Sequence, residues 1–188
     1  SRNRLDMLLY KLFFWNTSVI CLSERLTYDI KSVFSGPLYI VNNGIDEIDY
    51  PPRKRTNPIP VILFLSNLIA SKGVFVLLSA AKILKSEGLN FKINLFVAPR
   101  GDILARIEEF IEDNNLSELI ISIGPKYDAQ KVDVFINSDI FVFPTEYENE
   151  TWGLVVNEAM QASLPVIATT EGALPDIIEN GVTGFLIE

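Results

Sequence analysis

Two glutamates, Glu150 and Glu158, are separated by seven residues and follow a short apolar run. Glu150 precedes a segment whose apolar spacing predicts a helix over residues 152–163, and Glu158 lies inside that helix. A carboxylate offers two acceptor oxygens, which can bind both hydroxyls of a vicinal diol such as that of a ribose. A carboxylate before the helix could bind sugar hydroxyls or stabilise positive charge at an anomeric carbon. Because pairs of glutamates are common, their spacing alone favours solvated acids without a special role.

The predicted start of this helix is a candidate anion site. The first backbone N–H groups of a helix have no partner inside it and carry a partial positive charge. The amides of Gly153, Leu154 and Val155 would therefore suit a phosphate or diphosphate, and Gly153 lets an anion approach the backbone closely. Glu158 would lie roughly 7.5 Å further along the helix axis. The two glutamates would then flank the bound anion.

The composition excludes several kinds of site. The chain of 188 residues contains no histidine, which removes Ser-His catalysis, Cys-His catalysis and histidine zinc sites from within it. A DxD carboxylate pair that would hold a divalent ion on a diphosphate is also absent from the sequence. The single cysteine, Cys21, rules out an internal disulfide and fits a reducing compartment. No apolar run approaches the ~20 residues that span a bilayer.

Charge and apolar patterning indicate which large partners the chain could contact. The net charge of −8 argues against a protein that grips nucleic acid through its phosphates. The basic run at residues 53–55 is interpreted as a solvated loop, with a weak phosphate or lipid contact as the alternative. An aromatic and aliphatic stripe at residues 8–15 indicates either a membrane-surface helix or, more commonly, a core or interface surface whose partner is absent.

The elements that must position these groups alternate along the chain between short apolar runs and longer amphipathic ones. This alternation predicts an α/β fold, with a Rossmann-like parallel sheet covered by helices on both faces. In such sheets ligands bind beyond the carboxyl ends of the strands, so the segments that follow the predicted strands carry the functional groups. The predicted strands are 60–65, 91–97, 119–123, 139–143, 165–168 and 183–187, and the predicted helices are 72–87, 102–114, 128–137, 152–163 and 174–179.

The chain divides into three predicted regions. Residues 1–40 lie outside the alternating pattern and are interpreted as the end of a preceding domain, with a last helix, strand and helix. Within them, the helices are predicted at 6–15 and 24–34. Residues 41–59 form a proline-rich linker, and residues 60–188 form the domain that contains the sheet.

The segment from Phe141 to Gly172 resembles the signature of the retaining glycosyltransferases of family four, whose two halves form the GT-B fold. Two further segments are similar to family motifs: residues 41–46 to an Asn-Gly-Ile-Asp entry segment, and residues 66–73 to a Gly-Arg-Leu…Lys-Gly pattern. The features of the main signature are Glu150, Gly153-Leu154, Glu158-Ala159-Met160, Pro165-Val166-Ile167-Ala168 and Gly172, in that order.

The resemblance implies the C-terminal, donor-binding half of a GT-B enzyme. Residues 1–40 would be a remnant of the N-terminal acceptor domain, and residues 60–188 would be a truncated donor domain without its final helices. The reaction implied is transfer of a sugar from a nucleotide diphosphate sugar to an acceptor hydroxyl with retention of anomeric configuration. The family implies no cofactor and no obligatory metal.

The resemblance also implies roles for single residues. Lys72 and the amides of residues 153–155 would stabilise the leaving diphosphate, and Asn67 would contact it from a position where the family usually has arginine. Asn67 brings no charge to that position. Glu158 would hold the ribose, and Glu150 would be the catalytic residue that orients the sugar and supports charge on it. The remaining donor contacts would come from the backbone of Gly124-Pro125-Lys126 beside the nucleobase and from the amides of Gly172 and Ala173. A simple turn is the alternative interpretation at both places.

The partners implied are a nucleotide sugar donor and a carbohydrate or lipid-linked acceptor, without nucleic acid. The family favours a cytoplasmic protein of polysaccharide assembly, with peripheral contact at the inner face of the cell membrane. Two alternatives keep the fold but change the function. One is a nucleotide-binding module without activity of its own, and the other is a sugar epimerase of related fold.

Overall fold

The computed structural model describes residues 4–51, 58–67, 70–98, 102–124 and 129–188, and strands alternate with helices along most of this length. Two short 3₁₀ turns, Arg25–Thr27 and Ala70–Lys72, precede α2 and α3. The helices are α1 (Arg4–Phe13), α2 (Tyr28–Lys31), α3 (Val74–Ser86), α4 (Ile103–Asp113), α5 (Ala129–Ile136), α6 (Leu154–Gln161) and α7 (Leu174–Ile177). The strands are β1 (Val19–Cys21), β2 (Leu38–Ile40), β3 (Val61–Asn67), β4 (Lys92–Ala98), β5 (Ile120–Ile123), β6 (Ile140–Phe143), β7 (Val166–Thr169) and β8 (Gly184–Ile187).

Strands β3 to β8 form one parallel sheet in the order β5-β4-β3-β6-β7-β8. This is the strand order of dinucleotide-binding folds, in which two halves meet at a topological switch point. Here the switch point lies between β3 and β6, because β3 pairs with β4 on one side and with β6 on the other. In such folds the ligand binds beyond the carboxyl ends of the two strands at the switch point. The predicted α/β class with a parallel sheet is confirmed.

Both faces of the sheet are covered, and each face has its own apolar core. Along β3, Ile62 and Phe64 pack in the cluster that contains the buried residues of α3 and α4. The intervening Leu63 packs in the cluster formed with α5, α6 and α7. Successive side chains of a strand point to opposite faces, so a strand buried on both faces must be apolar throughout. This explains why the strands of the sequence are continuous rather than alternating apolar runs.

The N-terminal segment forms a separate two-stranded sheet, in which β1 and β2 pair in parallel. The helix predicted over 24–34 is much shorter in the structure, where only α2 is α-helical. Side-chain hydroxyls bond the backbone at its start: Thr27 Oγ1 donates to the Glu24 carbonyl (2.6 Å), and Ser23 Oγ accepts from the Arg25 amide (3.0 Å). Such local bonds compete with regular helix formation. The prediction for this helix was therefore wrong in extent.

The residues before β3 contact the helices that cover the six-stranded sheet at several points. Arg25 Nε lies 3.1 Å from Asp176 Oδ1, beside α7. Gln161 Nε2, at the end of α6, donates to the Asp46 carbonyl (3.1 Å), and Tyr50 packs against the second apolar cluster. The described part of the predicted linker therefore lies on the face of α6.

Helix α1 leaves its apolar stripe exposed, and Phe14 just beyond it packs edge-to-face on Phe34. The exposed members are Leu8, Leu9, Tyr10, Leu12 and Phe13, with Trp15 following the helix. Within the described residues, no helix is both long enough and apolar enough to cross a membrane. Both interpretations of the stripe, a membrane surface or a protein interface, stay predictions.

Candidate functional site

The loops that follow β3 and β6 press against each other at the switch point. Gly73, which caps α3, has φ +86°, and a Cβ atom there would lie 1.8 Å from the Pro144 carbonyl oxygen. Only glycine allows this approach, because it lacks the Cβ and adopts positive φ without strain. The Ser71 carbonyl also accepts a hydrogen bond from the Glu146 amide (2.7 Å). These contacts place the residue between them, Lys72, against the loop after β6.

Lys72 and Glu150 form a buried ion pair at this edge of the sheet. Lys72 Nζ lies 2.6 Å from Glu150 Oε2, and the two side chains are 15% and 8% exposed. The ammonium also lies 4.5 Å from the centre of the Tyr147 ring and 5.7 Å from that of Phe143, within cation–π range. A charge in so enclosed a position must be paired. Sequence analysis assigns each of the two residues a separate role but does not predict their pairing.

The backbone of Glu150 is fixed by the turn after β7. Gly172 has φ +55°, and a Cβ atom there would lie 2.2 Å from the Glu150 carbonyl oxygen. The Ala173 amide donates to the Thr151 carbonyl (3.1 Å). The expectation that the Ala173 amide faces a ligand was therefore wrong, because that amide is used within the protein. The role of Gly172 in donor binding stays a prediction, and its structural role is a close backbone contact.

Helix α6 begins two residues later than predicted, after Gly153, whose φ of +65° breaks the helical path. The Val156 amide donates to the Gly153 carbonyl (2.8 Å). Within the described part of the chain, the amides of Gly153, Leu154 and Val155 have no acceptor. They can therefore take up an anion beside the Lys72–Glu150 pair.

Glu158 lies on α6 beside a lysine of the neighbouring helix α5. The Lys131 ammonium forms an ion pair with Glu158 Oε2, with 25% and 24% of the two side chains exposed. Oε2 is buried and the lysine approaches it without hydrogen-bond geometry, so the contact is electrostatic. No described residue hydrogen-bonds the other oxygen, Oε1. Burial raises the pKa of the Tyr50 phenol, and the negative charge of Glu158 raises it further.

Lys131 and Tyr50 are site residues that the sequence did not indicate. Lys131 is 27 positions before Glu158 and Tyr50 is over 100 positions before it. No spacing rule connects such positions, and only the packing of α5 and of the linker on α6 brings them together. The one available signal was that Lys131 lies on the predicted helix that comes before the helix of Glu158 in the chain.

Two predicted donor residues are described only in part or not at all. The backbone of Asn67 ends β3 in register with Ala98, and its side chain is not described. Lys126 lies outside the described residues. Among the residues that the structure describes, no group of three or more histidine, cysteine, aspartate or glutamate side chains is arranged to hold a metal ion.

The chain is similar to a known protein family and to several of its members. The family model "Glycosyl transferases group 1" matches residues 47–188, more than half of the chain. An uncharacterised glycosyltransferase of Methanocaldococcus jannaschii is 29% identical over 171 residues, which cover 90% of this chain and 45% of that protein. The capsular polysaccharide biosynthesis glycosyltransferase CapM of Staphylococcus aureus is 31% identical over 151 residues, 78% of this chain and 37% of CapM.

The solved structures show the same fold. A crystal structure of TarM is 23% identical and superposes with a TM-score of 0.81, covering 100% of this chain and 36% of TarM. A mutant of S. aureus TarM in complex with fondaparinux, alpha-GlcNAc-glycerol and UDP is 26% identical and superposes with a TM-score of 0.75. The match covers 91% of this chain and 34% of that chain. The α/β sheet is therefore that of GT-B glycosyltransferases.

The chain spans less than half the length of these two relatives: the match covers 45% of the M. jannaschii protein and 37% of CapM. The matched region nevertheless contains the whole six-stranded sheet, the Lys72–Glu150 pair and Glu158. On the family model and the fold together, the chain belongs to the group 1 glycosyltransferase family.

Proposed function

We propose that this chain binds a nucleotide diphosphate sugar, and that the whole protein transfers the sugar to an acceptor hydroxyl with retention of anomeric configuration. The observation that carries the proposal is the buried Lys72–Glu150 pair at the switch point. A buried pair of charges is a poor means of stabilising a fold, since apolar residues of similar volume often do as well. A cation and an acid held at the ligand-binding edge of a parallel sheet instead suit the recognition of a charged ligand.

The diphosphate would lie between Lys72 and the start of α6. An ammonium has three donor hydrogens, so Lys72 can keep its contact with Glu150 Oε2 and still bind a phosphate oxygen. The amides of Gly153, Leu154 and Val155 would bind other oxygens of the same group. Because Asn67 is uncharged, Lys72 would carry most of the neutralisation that the leaving diphosphate needs. The proposal involves no obligatory metal and no cofactor.

The two glutamates would bind the sugars on either side of the diphosphate. Glu158 would accept hydrogen bonds from the ribose diol through Oε1, which no described residue hydrogen-bonds. Glu150 would orient the transferred sugar and stabilise positive charge that develops at its anomeric carbon. Its enclosure strengthens both effects, because electrostatic interactions grow as water is excluded.

The acceptor side of the proposal comes from the relatives. CapM is described as a capsular polysaccharide biosynthesis enzyme, and the TarM complex contains UDP together with a GlcNAc-glycerol. A carbohydrate or lipid-linked acceptor and a role in polysaccharide assembly at the cytoplasmic face of the membrane are the corresponding proposals here. Residues 1–40 would belong to the acceptor domain, and residues 60–188 to the donor domain.

Titration calorimetry of the chain with UDP and GDP tests the donor site. We expect at least one of them to bind, and we expect Lys72→Met to weaken that binding about tenfold or more, equivalent to about 1.4 kcal/mol. Lys82→Met is the matched control, since Lys82 is an exposed lysine on the following helix. Failure of both nucleotides to bind, or equal affinity of folded Lys72→Met and wild type, would refute the proposed site.

The chemistry needs an assay of the whole protein with a nucleotide sugar. Transfer consumes the donor only when an acceptor is present, whereas an epimerase would release nucleotide and altered sugar without one. A binding module would bind the nucleotide and give neither product. Retention is read from the anomeric configuration of the product by NMR.

A further inference from the structure

Lys131 is placed to act on Glu158, the residue proposed to bind the ribose. Its ammonium pairs with Oε2, the buried oxygen of that carboxylate. Its Nζ also lies 5.9 Å from the centre of the Phe135 ring, on the same helix. The lysine is therefore held both by a charge on α6 and by a ring on α5.

The pairing leaves the two oxygens of Glu158 in different environments. Oε2 is buried and faces the lysine, while the side chain as a whole is 24% exposed and no described residue hydrogen-bonds Oε1. A buried carboxylate oxygen without a cation would be poorly solvated, and the side chain would turn to bring both oxygens toward water. Removing the lysine would therefore change the direction in which Glu158 presents its free oxygen.

Tyr50, in the predicted linker, also interacts with Glu158. It packs against the apolar cluster that contains α5 and α6, close enough to Glu158 for the two groups to interact electrostatically. Glu158 is thus bordered by Lys131 on one helix and by Tyr50 on the linker.

We propose that Lys131 is a positioning residue for donor recognition, which holds Glu158 Oε2 so that Oε1 faces the ribose diol. The inference rests on the proposed function, because it requires a ribose beside Glu158. It adds a residue from α5, outside the motif of the two glutamates, to the determinants of specificity. Through this contact the site would distinguish ribonucleotides from nucleotides that lack a hydroxyl of the diol.

A purely structural role for Lys131, as a link between α5 and α6, predicts a different outcome. A link would affect stability, and it would affect the binding of all nucleotides to the same degree. A positioning role affects mainly those ligands that carry both ribose hydroxyls. The ratio of affinities for a ribonucleotide and its 2′-deoxy form therefore separates the two roles.

The experiment measures this ratio by calorimetry with UDP and 2′-deoxy-UDP, or with the guanine pair if GDP is the tighter ligand. For wild type we expect the ribonucleotide to bind about tenfold more tightly, the discrimination typical of a lost hydrogen-bonded hydroxyl. In Lys131→Met we expect the ratio to fall to about one, through weaker binding of the ribonucleotide. Lys131→Arg should retain most of the wild-type ratio, and Lys82→Met should retain all of it.

Each other outcome has a defined meaning. A folded Lys131→Met with the wild-type ratio overturns the positioning role and leaves the donor site intact. A wild type that binds both nucleotides equally also overturns it, since no ribose contact then exists to be positioned. A wild type that binds no nucleoside diphosphate refutes the proposed function itself. If Lys131→Met does not fold, Lys131→Gln removes the charge with less loss of polarity, and the same ratio decides.

Discussion

Separating Lys72 from Glu150 should destabilise the fold by an amount that their burial determines. Lys72→Met leaves the Glu150 carboxylate, only 8% exposed, without its cation. Breaking a buried pair from one side typically costs about 3–5 kcal/mol, and we expect about 3 kcal/mol here because the pair lies at an edge of the sheet. Glu150→Leu should cost less, about 1–2 kcal/mol, because the remaining Lys72 ammonium retains its cation–π contact with the Tyr147 ring, 4.5 Å from the ring centre.

The double variant, with both Lys72→Met and Glu150→Leu, distinguishes an interacting pair from two independent residues. With both charges removed, no uncompensated ion remains, so the loss should be smaller than the sum of the two single losses by about 1–3 kcal/mol. Urea unfolding followed by circular dichroism measures each free energy of unfolding. In a thermal scan, a loss of about 3 kcal/mol corresponds to a Tm lower by roughly 6–12 °C for a chain of this size.

Two results would refute this reasoning. Single losses below about 0.5 kcal/mol would show that the pair behaves like a solvent-exposed one. Strictly additive losses would show that the two side chains do not interact in solution. Lys82→Met, on the exposed face of α3, should change the free energy of unfolding by less than about 0.5 kcal/mol.

Three further predictions concern the surroundings of Lys72 and of the two glutamates. Gly73→Ala should lower the free energy of unfolding by more than about 2 kcal/mol, because the residue has positive φ and its Cβ would clash with the backbone. Gly88→Ala, also at positive φ but with open space around it, should lower it by about 1 kcal/mol. Equal losses for the two variants in urea unfolding would contradict this prediction. Tyr147→Leu should weaken nucleotide binding about threefold to tenfold by removing the ring beside Lys72, while Tyr147→Phe keeps the wild-type affinity in calorimetry. The pKa of the Tyr50 phenol is raised above 10.0, so above that pH the folded state binds more protons than the unfolded state. The free energy of unfolding should therefore fall as the pH rises above 10.0, and it should fall less steeply in Tyr50→Phe.

The sequence predicted the sheet well because its strands are marked by continuous apolar runs. All six strands of the sheet lie within two residues of their predicted bounds, and every one of them is parallel to its neighbours. The strand order could not be read in the same way, since local patterns do not specify on which side of a strand the chain returns. The order places β3 beside β6, and this is what joins Lys72 to Glu150 across 78 positions of the sequence.

The errors in the prediction have local physical causes. The positive φ of Gly153 moves the start of α6 beyond the residue at which apolar spacing placed it. Hydroxyl–backbone bonds of Thr27 shorten the second helix. Lys131 was missed because its partner, Glu158, is on a different helix and no periodicity links them.

The central claim is that the edge of the sheet beyond the carboxyl ends of β3 and β6 binds a nucleotide diphosphate. A crystal structure of the chain with the tighter of UDP and GDP tests this most directly. We predict a diphosphate within hydrogen-bond distance of Lys72 Nζ and of the first amides of α6, with the ribose hydroxyls on Glu158. A nucleotide bound elsewhere, with the Lys72–Glu150 pair untouched and no ligand at the start of α6, would contradict the account.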